Sequence, residues 1–193
     1  MKRAISNLPN GYKLHLSVNL QKDKKLSILI NLFAILIGVV MIVPMNFVIP
    51  ISMLYDMSQG LGLYFVRFGV LLVGIIIYMI LHEAVHGIAM KLCGTKMVKY
   101  GFTGLYAFAG STDYYGKGAY IFIALAPVVL WGIVLLIINL SVSDSWVWIV
   151  YFIQVMNISG AVGDVYVTVR FAKLPKDILV QDSGAAMTVY IKE

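Results

Sequence analysis

The feature that most constrains this chain is a set of four apolar stretches, at about residues 26–54, 63–92, 119–140 and 146–169. A bilayer core of roughly 30 Å needs about 20 helical residues at 1.5 Å each. Backbone polar groups cannot be left unpaired in hydrocarbon, so a spanning segment must be a helix or part of a closed barrel. Of the 193 residues, 61% are hydrophobic and only 12% charged. The mean hydropathy of +0.89 excludes an ordinary soluble enzyme.

The expected fold is an all-α membrane protein with four transmembrane helices and a small β-hairpin or sheet on the cytosolic side. It divides into an N-terminal tail (1–25), a membrane domain (26–170) and a C-terminal tail (171–193). Pro44 and Pro50 interrupt the first apolar block, and its helix is expected to kink or end at Pro44. The β-structure follows from alternation: Tyr12, Leu14, Leu16, Val18 and Leu20 are interleaved with polar residues, as are Met187, Val189 and Ile191. Between the second and third blocks, Met97–Phe102 and Leu105–Phe108 are β-prone runs separated by Thr103-Gly104, a hairpin signal.

A net charge of +6 raises the question of nucleic acid, but the Lys and Arg residues gather in the two tails and in the loop after the second block. That distribution is a topology signal rather than a nucleic-acid surface. It puts both termini and the 91–118 loop in the cytosol of what is expected to be a bacterial plasma membrane protein, with Trp146 and Trp148 at the outer interface. The lone Cys93 excludes an internal disulfide and a thiolate zinc cluster.

The chemistry is carried by His82-Glu83-Ala84-Val85-His86 in the second block. Residues four apart on a helix differ by about 40° around its axis, so both imidazoles can reach one ion. Glu83 follows the first ligand, where its carboxylate can take a proton from water without itself being a ligand. Two imidazoles and a carboxylate are costly inside a membrane, which favours a functional reading over simple helix packing.

A catalytic zinc takes a third protein ligand. His15, Asp113, Asp177 and Asp182 lie in the tails or loop, whereas Asp164 is an acidic residue within another span. His86 is five residues from Lys91 and Asp164 six from Arg170, so both lie roughly 8 to 9 Å inside the cytosolic end of their helices. Gln154, Asn157, Ala161, Asp164 and Thr168 form one polar or small stripe along the fourth span. On that stripe Asn157 is a candidate substrate contact, with an interhelical hydrogen bond as the alternative.

Together, Leu81-His82-Glu83-Ala84-Val85-His86-Gly87, then Leu125-Ala126-Pro127, then Asn157 through Asp164 resemble the "Putative zincin peptidase" family of small membrane proteins. These are distant relatives of the site-2 intramembrane metalloproteases. The resemblance runs from about residue 70 to Asp182 and implies a zinc-dependent membrane peptidase acting on membrane-protein or peptide substrates. In site-2 proteases the third ligand is an aspartate in an Asn-Pro-Asp-Gly-like run. Here Gly163 precedes Asp164 and Val165 follows it, so the match is one of role and order. A non-hydrolytic zinc-binding regulatory protein is the competing reading, against which the retained Glu83 argues. A metal transporter would require further polar residues along the first and third spans.

Overall fold

The computed structural model describes residues 4–20, 22–102, 107–184 and 186–192. In chain order the elements are β1 (Tyr12–Val18), α1 (Lys24–Val48), a 3-10 turn (Ile51–Tyr55), α2 (Leu61–Leu92), β2 (Lys99–Phe102) and β3 (Ala107–Gly110). They continue with β4 (Tyr114–Gly116), α3 (Lys117–Ser141), α4 (Asp144–Gly160), α5 (Val162–Ala172), β5 (Leu179–Asp182) and β6 (Met187–Lys192). Among the described residues, four segments are long and apolar enough to cross a membrane: α1, α2, α3 and the run Asp144–Ala172.

The chain divides into two compact units, one comprising residues 1–30, 81–127 and 163–193, the other residues 31–80 and 128–162. The first unit thus joins both tails to the central loop. Its larger sheet has the antiparallel order β1-β6-β5-β4, and β2 pairs with β3 in a separate hairpin. The small β-structure expected is thus present, as one short-stranded sheet and one hairpin. β1 finds its partner in β6, with Val18 opposite Met187. Thr103, Gly104 and the first half of the expected second strand, Leu105 and Tyr106, lie outside the described residues, and β3 is described over Ala107–Gly110. Val18, Met90, Tyr115, Tyr120, Ile123, Phe171, Val180 and Val189 make the buried core of this unit.

Lys117 closes the far end of α5. Its Nζ donates to the carbonyls of Ala172 at 2.5 Å and Leu174 at 2.6 Å. A cation there complements the partial negative charge of a helix C-terminus.

In the second unit, α1 runs through Pro44 to Val48, so of the expected kink or end at Pro44 the end does not occur there. One missing N–H is absorbed by a long apolar helix, whereas the residue before a proline is driven from helical geometry. The carbonyls of Ile49 and Pro50 are then free to accept from the Trp148 indole N–H, each at 3.1 Å. Trp148 is buried in this unit's core, with Leu54 and Ile149. Gly74 lets α2 approach α4 closely, since a Cβ there would meet Ile153 at 2.9 Å. Leu32, Ile35, Leu36, Val39, Val43 and Phe47 of α1 stay exposed, a surface suited to lipid and not to water.

Between α4 and α5 the helical run is broken at Ala161, whose φ of −78° and ψ of 5° lie outside the helical well. The fourth apolar block is therefore two helices. The break makes Asp164 a first-turn residue of α5, where the exposed N–H groups of a helix favour an anion.

Candidate metal centre

His82 and His86 leave α2 one turn apart, their rings 5.0 Å between centroids at 75°. The Nε2 atoms of both lie 3.7 Å from Oδ2 of Asp164. Two ligand atoms each about 2.1 Å from a common ion sit roughly 3.4 Å apart at a tetrahedral angle, so the set fits one small cation such as zinc. One ligand atom from each residue falls within 4.8 Å of the others, and the three side chains are only partly exposed. The shared depth expected of His86 and Asp164 is met.

The surroundings orient the imidazoles. Nδ1 of His86 is 2.9 Å from the carbonyl oxygen of Ile123 in α3. A carbonyl can only accept, so Nδ1 carries a hydrogen and Nε2 is the ring nitrogen left to meet an ion beside Asp164.

Glu83 is addressed by the hairpin. The backbone amide of Ala109 in β3 lies close to its carboxylate. Glycines permit this approach: any side chain at Gly87 would occupy the position of the Tyr100 ring from β2. One at Gly110 would meet the backbone of Ser183 and Gly184. Phe108 in turn lies against Gly101 and Gly184, the latter at a φ of +80° that other residues rarely adopt.

Asp182, assigned to a tail by sequence, ends β5 beside the site. Its Oδ1 accepts from the N–H of Gly184 at 2.9 Å, and its side chain lies beside the buried Tyr120 hydroxyl. Burial and, less strongly, nearby Asp164 push its pKa up while the Gly184 amide, His86 and Tyr120 act the other way, leaving it raised to about 6. The turn chemistry of Asp182-Ser183-Gly184 before an alternating run was the available signal for a hairpin here. Nothing in the sequence says that this hairpin returns to the histidines. Asp164 is the acidic member of the described His/His/carboxylate group, whereas His15 is exposed at a β-bulge in β1.

Asn157 belongs to the second unit and is fully buried. Its Oδ1 accepts from the Tyr78 hydroxyl at 2.9 Å, and its Nδ2 donates to the carbonyl of Val128 at 3.1 Å. These are the interhelical hydrogen bonds of the packing alternative.

Long apolar helices carrying a two-histidine, one-carboxylate centre with a glutamate between the histidines define a zincin-like membrane-helix protein. The "Putative zincin peptidase" family model matches residues 75–179, more than half of the chain, and the chain belongs to that family. It is also 30% identical over 122 residues to a protein of Pyrococcus woesei described as an uncharacterized 24.7 kDa protein in the gap 5′ region. That match covers 61% of this chain and 53% of the relative, so the chain spans about half of the relative's length. No solved structure matches it significantly.

Proposed function

We propose that this protein is a zinc-dependent, membrane-embedded endopeptidase of the site-2 type, cleaving membrane-associated or transmembrane substrates near the cytosolic face. The observation that carries the reading is that both histidine Nε2 atoms stand 3.7 Å from one Asp164 oxygen, with Glu83 next to His82 on the same helix. His82, His86 and Asp164 would hold the zinc. Bound there, it supplies a Lewis acid for the scissile carbonyl and an acidified water.

Glu83 takes the proton from the attacking water and delivers it to the departing amine. The Ala109 amide beside the Glu83 carboxylate would help to hold it for that exchange. A transmembrane substrate must first unwind, because a helix hides its carbonyls in its own hydrogen bonds. The β2–β3 hairpin beside Glu83 offers main-chain pairing to such an unwound segment. A site close to a membrane surface eases the entry of water.

The test compares wild type with Glu83→Gln and Asp164→Ala for bound zinc and for cleavage of candidate membrane substrates. Glu83→Gln should keep its zinc and lose about 10²-fold or more in turnover. Asp164→Ala should lose zinc. Full activity in Glu83→Gln would remove the peptidase mechanism, and undiminished zinc affinity in Asp164→Ala would remove the third ligand.

A further inference from the structure

The orientation of His86 depends on an oxygen that an ordinary helix would not offer. Ile123 and Pro127 are both in α3, four residues apart, and in a regular helix the carbonyl of residue 123 accepts from the N–H of residue 127. Proline has no N–H, and its ring crowds the carbonyl four residues back, turning it off the helix axis. Ile123 is buried, with only 1% of its surface exposed, so a carbonyl deprived of its helical donor there needs another partner. Nδ1 of His86, at 2.9 Å, is that partner.

We infer that Pro127 is a positioning residue for the metal centre: by withholding an N–H from Ile123 it reserves that carbonyl for His86 Nδ1–H and so aims Nε2 at the ion. The inference deepens the zinc peptidase reading and rests on it. Pro127 touches neither the ion nor a substrate and acts through the Ile123 carbonyl alone. Partners that fix the tautomer and ring angle of a ligating histidine are typically worth about 10- to 100-fold in metal affinity or activity.

Pro127→Ala restores the helical donor and lets the Ile123 carbonyl turn back toward it. The metal-free protein should then melt at the same temperature as wild type or higher, because an intrahelical proline has been removed. Its zinc affinity, measured by competition with a chromophoric chelator, should nevertheless fall by about 10-fold or more. Pro44→Ala is the control. It removes the proline inside α1 and should leave zinc affinity unchanged.

In the zinc-loaded wild type, labelled selectively with nitrogen-15 at histidine, His86 should carry its proton on Nδ1 and the metal on Nε2. That measurement decides the matter even if Pro127→Ala does not fold. Zinc affinity within twofold of wild type in Pro127→Ala, or metal on Nδ1 of His86, overturns the inference. His82→Ala separates the two levels of the argument. If that variant binds zinc like wild type, the zinc peptidase reading itself fails; if it loses zinc while Pro127→Ala keeps it, only the role of Pro127 fails.

Discussion

Gly110→Ala offers a sharp test of how the hairpin is held over the candidate site. An ideal Cβ at this position would stand 2.6 Å from the nitrogen of Gly184 and 2.6 Å from the oxygen of Ser183, backbone atoms that cannot rotate aside. Gly110 does not lie in the left-handed region, so the cost of alanine is steric alone. Relief requires β3 and the 182–184 turn to part by about 1 Å, an overpacking strain of about 1 to 3 kcal/mol. The same displacement breaks the hydrogen bond from the Ser111 N–H to the Asp182 carbonyl, now 2.7 Å, at about 1 kcal/mol more.

A total of about 2 to 4 kcal/mol corresponds to a fall of roughly 5 to 15 °C in Tm for a chain of this size. Thermal unfolding of the detergent-solubilised protein reads the shift, and hydrogen exchange at Ala109 and Ser111 should accelerate with it. Gly116→Ala is the matched control, because a Cβ there meets nothing within 4 Å. If Gly110→Ala melts with Gly116→Ala and wild type, the close backbone approach does not govern stability and the reasoning fails.

Asp182 gives a pH dependence of unusual sign. Its folded pKa of about 6 lies above the ordinary 3.8, so the fold disfavours the ionised form. The stability of the metal-free protein should therefore fall as pH rises from about 4 through about 6, by no more than about 3 kcal/mol and by less because the residue is partly exposed. Asp182→Asn should be the more stable protein above pH 6, with the gap closing below about pH 4; parallel denaturation curves at pH 4 and pH 7 decide this. Lys117→Met removes two charge-assisted hydrogen bonds from the end of α5 and should cost about 1 to 3 kcal/mol in thermal unfolding. An unchanged melting temperature would show those carbonyls to be equally well satisfied by water.

Much of the site could be read in advance because it depends on helical repetition. The four-residue step from His82 to His86 and the matched distances of His86 and Asp164 from their flanking cations are properties of single helices. The strand character of residues 12–18 and 187–192 was equally local. What lay beyond reach were choices made between segments. Asp182 looks like a tail residue until β5 is placed between β4 and β6. Lys117 reads as a topology charge until α5 ends beside it. Pro44 and Pro50 look alike as letters, yet only Pro50 ends a helix, where Ile51 also donates its N–H to Asn46 Oδ1 at 2.8 Å. The break at Ala161 lies among Ser159, Gly160 and Gly163, small residues whose spacing fits close packing as well as it fits a break.

The pairing of β1 with β6 also sets an order of events during synthesis. β1 is made before α1, but its partner begins only at Met187. At about 5 to 20 residues per second, the first strand waits on the order of ten to thirty seconds for the strand it will join. The edge it presents meanwhile is open to other strands. A chain that stalls before Met187 already carries both histidines, Glu83 and Asp164, yet lacks the strand that joins β1 to β5. The unit that holds these candidate ligands is thus completed only after all four of them have been made.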